Sequence, residues 1–314
     1  MAEIITMGEL LVEIMRDQEN AELYETGTFK GPFPSGAPAI FIDTAARLGV
    51  STAIIGGVGN DDFGKNILER LEKDGVDVSH VRKSEERSTG VAFVTYYSDG
   101  SRKFIFHVGN TPAVEAKAPL NEEFGDVKYM HIMGCSLMAS KEFAQEILKT
   151  MHMMRRRGTK ISFDPNIREE LFTDPGVTDV IREVMENVSV LLPGKEELLK
   201  ITDTSSVEAA VRKCFESEAL EVIAMKNGSA GSRIYTRDEV IETGVYPVRQ
   251  VDATGAGDCF DGAFIAGLVK GKSLETAAKM GAAAGALNAA AFGPMEGRIS
   301  EKTIGELILE KRSL

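Results

Sequence analysis

No window of about 18 uncharged apolar residues occurs in the 314-residue sequence, so no membrane span is expected. The opening Met1-Ala2-Glu3-Ile4-Ile5-Thr6 lacks the basic start and apolar run of a signal peptide and reads as a first strand. Cysteine is scarce: Cys135, Cys214 and Cys259 are odd in number and far apart, with no metal-binding spacing. Reduced thiols in the cytoplasm are the reading they support. Basic residues are in deficit, 36 against 48 acidic, for a net charge of −12. That argues against nucleic acid or an anionic membrane as partner, since both attract basic surfaces. The four histidines (His80, His107, His131, His152) are scattered without the partners a triad needs; only His107 stands where it could meet a substrate. No Gly-x-Gly-x-x-Gly follows the first apolar run, where Gly8-Glu9-Leu10 stands instead, which argues against a nicotinamide-dependent oxidoreductase. Internal repeats, low-complexity tracts and extended linkers are also lacking.

What remains is an ordinary globular composition, 43% hydrophobic and 27% charged, sufficient for a sizeable core. The length fits one large α/β domain with an appendage, or two domains. Short apolar runs at 53–58, 129–133, 160–163, 188–192 and 222–225 alternate with helical patterns at 63–74, 142–157 and 206–218. Strands buried on both faces read as continuous apolar runs, and parallel strands need crossovers. A mostly parallel sheet with helices on both sides is therefore expected. Two stretches, about 10–33 and 90–108, break the pattern. The second alternates from Val91 to Tyr97, turns at Asp99-Gly100 and resumes at Lys103, a strong hairpin signal. It is expected to form a small sheet serving as a lid, or else an edge hairpin extending the main sheet.

The densest local chemistry lies at Asp252-Ala253-Thr254-Gly255-Ala256-Gly257-Asp258. Residues 246–251 before it read as a strand, and Cys259 to Gly271 after it as a helix. The glycines then form a turn opening a helix, where small residues let backbone approach a ligand and free N–H groups bind an anion such as phosphate. Asp258 falls in the first helical turn, placed to take a proton from an attacking hydroxyl. The structural alternative is a helix cap preceded by a plain turn.

This segment resembles the C-terminal signature of the ribokinase-like (PfkB) carbohydrate kinases. The resemblance spans nearly the whole chain: Gly8-Glu9, Ser35-Gly36-Ala37-Pro38-Ala39, residues 56–64, Asp164-Pro165-Asn166-Ile167-Arg168 and Lys226-Asn227-Gly228-Ser229-Ala230-Gly231 are similar to the family's other blocks, in order. It implies a single three-layer α/β/α domain over 1–314, a small β-sheet lid, and transfer of a phosphoryl group from ATP to a sugar. Asp258 is then the base, and the backbone of Gly255, Ala256 and Gly257 the anion hole. Lys226, Gly228, Gly231 and Gly257 are expected along the nucleotide, with Asn288 as a polar contact for adenine or ribose. Glu9, Gly36, Ala37, Phe106 and Arg168 are expected on the sugar with Asp258; Phe104 either shares that role or packs the lid. Glu197 is the candidate acid for Mg²⁺, and Asp252 and Thr254 match positions that hold a monovalent cation such as K⁺ in some members. A homodimer through the lid is implied as well. Each role has a plainer alternative: a solvated helix residue for Glu197, a hairpin turn for Gly228 and Gly231, a tightly packed small-residue helix around Asn288, an ion pair with its own neighbours for Arg168.

The pattern departs in two places. Gly194 stands where the family often has Asn before its acid, as in members resembling 2-keto-3-deoxygluconate kinases. Ile40 stands where an Asn usually meets the sugar. The segment 31–38 resembles tagatose-kinase and fructokinase-like members. The expected activity is thus phosphorylation of a primary hydroxyl on a ketose or keto-sugar acid. A catalytically silent sugar- or nucleotide-binding sensor on the same fold is the alternative.

Overall fold

A computed structural model describes residues 1–120, 124–167 and 176–312. The strands are β1 (Ile4–Met7), β2 (Leu11–Arg16), β3 (Phe29–Ser35), β4 (Thr52–Gly59), β5 (Val76–Asp77), β6 (Val81–Ser84), β7 (Gly90–Tyr96), β8 (Arg102–His107), β9 (Tyr129–Met133), β10 (Lys160–Asp164), β11 (Val190–Leu191), β12 (Val222–Lys226), β13 (Ser232–Tyr235) and β14 (Val240–Thr243). The helices are α1 (Ala37–Arg47), α2 (Asp62–Lys73), α3 (Gly134–Ala139), α4 (Lys141–Arg156), α5 (Val177–Asn187), α6 (Lys195–Thr202), α7 (Val207–Cys214), α8 (Ala256–Val269), α9 (Leu274–Ala289) and α10 (Glu301–Arg312).

The main sheet runs β14-β13-β12-β11-β10-β9-β1-β4-β5, with β6 also against β4. From β12 to β5 the pairings are parallel, while β13 and β14 turn back antiparallel. Alternation along each buried strand feeds two cores. Ile4, Tyr129 and Ala224 face α1, α8 and α9; Ile5, Met130 and Ile223 face α4 and α5. Side chains cap the helices at predictable places: Asp61 accepts from the Gly64 N–H at 2.8 Å and Ser140 from the Phe143 N–H at 3.0 Å.

The second sheet is β3-β2-β7-β8, and it includes the hairpin around Asp99-Gly100. It stands apart from the main sheet rather than extending it. In β8, Arg102, Phe104 and Phe106 are half-buried on one face, while Lys103, Ile105 and His107 are exposed on the other. Residues 246–251, read from sequence as a strand, pair with no strand. Pro247 has no N–H to give a ladder, and the Val251 and Asp252 N–H groups bond instead to the carbonyl of Ala289, the last residue of α9. The apolar run 188–192 forms only the two-residue β11. Among the described residues no helix is long and apolar enough to cross a membrane.

One buried acid gives the fold a pH dependence. Asp43 in α1 is 1% exposed, 3.5 Å from Arg47 and 3.8 Å from Arg70, yet burial outweighs both cations and pushes its carboxyl up to about 8. A folded value above the unfolded one gives stability that is full below about pH 4 and lost as pH rises through about 8. Asp43→Asn removes that dependence. Urea unfolding should show the native protein losing roughly 1 kcal/mol per pH unit relative to this variant between about pH 5 and 8. A difference that stays flat would mean Asp43 is ionised throughout.

Candidate active site

The carboxyl ends of parallel strands are where α/β sheets open to ligands. Here β1, β9, β10 and β12 lead into Glu9, Cys135, Asn166 and Lys226, which line one cavity of about 470 Å³. That volume lies in the range of small-molecule sites. The small sheet forms the facing wall with Leu11, Glu13, Arg102, Phe104 and Phe106. The start of α8 closes the third side with Thr254, Gly255, Gly257 and Asp258.

Local geometry explains the glycines. Gly255 caps α8 at φ 75°, and a Cβ there would lie 2.3 Å from the Pro294 carbonyl oxygen, so packing demands glycine. Gly257 differs: a Cβ would meet nothing within 4 Å except Lys226 Nζ, at 3.9 Å. The protein leaves that space open at a helix N-terminus, where backbone N–H groups attract an anion. Asp258, 7% exposed, does not cap the N-terminus as Asp61 caps α2; its Oδ1 accepts from Asn166 Nδ2 at 3.1 Å. Asn166 sits at φ 35°, and its own N–H donates to Asp164 Oδ1 at 3.0 Å. The Asn166 Oδ1 is buried without a hydrogen-bond partner among the described residues, an acceptor that a hydroxyl or a water would satisfy.

Behind this pair lies a buried ion cluster. Lys226 Nζ is 2.8 Å from Asp164 Oδ2 and 2.8 Å from Asp261 Oδ2. Burial pushes Asp261 well above the usual carboxylate range, with Asp164 adding to the rise. Burial also acts to raise Asp164, but the Lys226 ammonium outweighs it and holds that carboxyl low. Burial works against the Lys226 charge, yet the two acids carry its pKa above the ordinary lysine value. His131, fully buried and stacked on Phe41, is pushed down to about 3 by burial and stays neutral.

On the opposite side, Glu9 accepts from the Cys135 thiol at 3.1 Å and from the Ser136 hydroxyl, and Glu13 accepts from the Ser35 hydroxyl at 2.7 Å. The Phe104 and Phe106 rings stack 5.2 Å apart. Glu197 accepts from the Ile167 and Gly194 N–H groups at 2.8 and 2.7 Å, which closes the first turn of α6. Burial raises its pKa, with the Asp164 charge second. Both its oxygens already accept from backbone donors, and the residue lines the cavity. That fits a metal ion reached through water better than one bound directly. Gly194 suits this arrangement, because a Cβ there would lie 3.0 Å from Glu197 Oε2.

Of the residues singled out from the sequence, Glu9, Gly36, Ala37, Phe106, Glu197, Lys226, Gly228, Thr254, Gly255, Gly257 and Asp258 line this cavity. Ala256 lies between two of them. Four need correction or lie elsewhere. Asn288 does not face the cavity: it is 0% exposed, with its amide spent on the Thr254 and Pro294 carbonyls at 2.7 and 3.1 Å and on the Gly297 N–H at 3.1 Å. Gly231 closes the β12–β13 turn, its carbonyl accepting from the Asn227 N–H at 2.8 Å. Asp252 is buried behind the wall, its Oδ1 accepting from the Thr254 N–H and its Oδ2 from the Gly293 N–H. Arg168 lies outside the described residues. Sequence reasoning passed over Glu13, whose signal was an acid inside the apolar run Val12-Glu13-Ile14, and Arg102, which had none.

A carboxylate poised over an open anion site, facing a wall of acids and aromatic rings, suits transfer of a phosphoryl group to a hydroxyl. Comparison with known proteins agrees. Residues 1–301 match the model of the pfkB family carbohydrate kinases. Fructokinase-1 of Oryza sativa subsp. japonica is 29% identical, with 97% of each chain covered. The 2-dehydro-3-deoxygluconokinase of Bacillus subtilis is also 29% identical, over 99% of this chain and 96% of its own. An E.coli protein described as a ribokinase II, solved in complex with ATP and Mg²⁺, superposes with a TM-score of 0.92 at 37% identity, over 99% of this chain and 100% of that one. The chain therefore belongs to the pfkB family of carbohydrate kinases and is a phosphotransferase.

Proposed function

We propose that this kinase transfers the γ-phosphoryl group of ATP to a primary hydroxyl of a ketose or keto-sugar acid. The observation that carries the reading is Asp258, held by Asn166 beside the open space at Gly257 and in one cavity with Glu9, Glu13 and the Phe104–Phe106 pair. The sugar lies between the small sheet and the ends of β1 and β9, where the two glutamates accept from its hydroxyls. The small sheet acts as a lid over it, keeping water from the transferring group. ATP approaches from Gly228, where a Cβ would meet nothing within 4 Å. Mg²⁺ bound by the phosphates neutralises their charge, and Glu197 and the Asn166 Oδ1 hold its waters. Asp252 and Thr254 would help hold a monovalent cation such as K⁺ beside the anion site. The cysteines form no disulfide, consistent with a cytoplasmic enzyme. A silent binding protein is not favoured, since the base and the anion site are both intact. An ADP-release assay over fructose, tagatose and 2-keto-3-deoxygluconate tests the reading; no turnover on any sugar by folded protein would overturn it.

The two glycines separate function from folding. Gly257→Ala should fold as well as the native protein, or gain up to about 1 kcal/mol as a helix residue. Its methyl would fill the phosphate space and lower kcat/KM by roughly 100-fold. Gly255→Ala should instead lose stability by more than about 1 kcal/mol. Thermal unfolding beside steady-state kinetics distinguishes them.

The outer face of the small sheet carries Ile14, Phe93 and Ile105 in one cross-strand row, with Phe29 packed on Phe93 at 6.1 Å. Ile105 is 43% exposed. We propose that two copies pair through this face. Ile105→Glu should convert the dimer to monomer by light scattering, and a monomeric native protein would remove the proposal.

A further inference from the structure

Two residues of the small sheet reach across to the segment that opens the anion site. Tyr96 and Arg102 are directly paired across β7 and β8. The Tyr96 hydroxyl lies 2.9 Å from Thr254 Oγ1 and donates to Asp252 Oδ2 at 3.4 Å, and Arg102 Nη1 donates to Thr254 Oγ1 at 3.2 Å. Thr254 and Asp252 are 5% and 4% exposed, so these are contacts inside the protein. Behind Thr254, backbone contacts leave little slack: its N–H is held by Asp252 and its carbonyl by Asn288. Gly255, the N-cap of α8, follows immediately. On the other side, the Arg102 guanidinium lies 5.9 Å from the Phe104 ring, which stacks on Phe106 over the sugar pocket.

We infer that Tyr96 and Arg102 are positioning residues that tie the anion hole to the small sheet. A sugar seated against Phe104, Phe106 and Glu13 fixes β8. Through Arg102 and Tyr96 that fixes Thr254, and with it the Gly255–Gly257 amides that meet the phosphoryl group. Phosphoryl transfer depends on placement, and about 1 Å of misplacement costs on the order of 100-fold. Without this tie the Gly255–Gly257 amides stand on a segment that the sugar meets only at Asp258. With it, correct placement follows sugar binding, which limits loss of ATP to water. The pair takes no proton and bonds to no reacting atom; it acts through Thr254. This inference rests on the kinase reading above.

The test uses Tyr96→Phe, Arg102→Met and Arg102→Lys in the full chain, at one fixed potassium concentration. Arg102→Met should lower kcat by about 10- to 100-fold at saturating ATP and sugar, with the ADP dissociation constant changed less than about twofold. Tyr96→Phe should lower kcat by about 3- to 10-fold, and Arg102→Lys should restore part of the Arg102→Met loss. Without ligands, deuterium exchange at the 254–257 amides should quicken by about 10-fold in Tyr96→Phe and Arg102→Met, with exchange in β1 and β9 unchanged. A merely structural role would loosen the molecule generally and shift the melting point without that local pattern. Unchanged exchange at 254–257, or a kcat within about twofold of native in both variants, would overturn the inference. If Arg102→Met does not fold, Tyr96→Phe, which removes one hydroxyl, carries the test. The exchange arm needs no sugar, so it still decides the tie if the sugar panel fails and the substrate reading falls.

Discussion

Asp258→Asn should lower kcat by roughly 100- to 10,000-fold while ATP binding, measured by calorimetry, stays within about twofold. The substitution keeps the shape of the site. Asn166 Nδ2 can still donate to the new amide oxygen as it does to Asp258 Oδ1 at 3.1 Å, so the side chain should not swing away. What is lost is the acceptor for the proton of the attacking hydroxyl, because an amide is not basic. The anion site itself is backbone, at Gly255 to Gly257, and survives the change. Sugar KM should therefore move little. A variant with full kcat would remove Asp258 from the chemistry and return it to a structural role. A variant that loses ATP affinity in step with kcat would show that the carboxylate organises the phosphates rather than the hydroxyl. Asn166→Ala gives a lesser form of the same defect, since it frees the carboxylate from its orienting donor without removing it.

How much of this was legible beforehand depends on whether the information is local. Asp252 to Asp258 could be read because turn, helix start and acid lie within seven residues, each fixed by its neighbours. The parallel sheet could be read because strands such as β9 and β12 are buried on both faces and carry mostly apolar runs. Three features were not legible for physical reasons. Residues 246–251 have strand composition, but the Ala289 carbonyl on α9's last turn accepts from the Val251 and Asp252 N–H groups in place of a ladder. Asn288 looks like a ligand contact in a helix of small residues, yet its partners are carbonyls 6 and 34 positions away. Arg102 and Tyr96 look like hairpin surface; only the placement of the small sheet brings them to Thr254, more than 150 positions on. Lys226 falls between these cases. Its motif placed it at the cavity, where it is, but its charge goes first to Asp164 and Asp261, two acids that no local pattern links to it.

That cluster gives the largest expected effect on stability. Lys226→Met should destabilise the protein by about 3–5 kcal/mol, the usual result of removing one partner from a buried ionic group. A thioether of similar length fills the space, so packing loss is minor and the cost is electrostatic. Asp164 and Asp261, 2% and 0% exposed, would face each other without a cation. The sign of the pH dependence identifies this cause. In the native protein Asp164 is held low, so its contribution is present above its unfolded pKa and lost as pH falls. Asp261 is already raised by burial in the native protein; without Lys226 Asp164 joins it above its unfolded value, and stability is lost more steeply as pH rises. The gap between native and variant should therefore narrow from about pH 7 to pH 5, as the variant takes up protons the native protein does not. Urea unfolding at the two pH values measures it. Adding Asp261→Asn to the variant removes one of the two acids and should recover part of the loss. A gap that is constant with pH would place the damage in packing. Because Asp164 also holds the Asn166 N–H at 3.0 Å, the variant's residual kcat should fall even where it remains folded. That loss would follow the chain Lys226–Asp164–Asn166–Asp258, by which a buried charge in the cavity wall fixes the direction of the base.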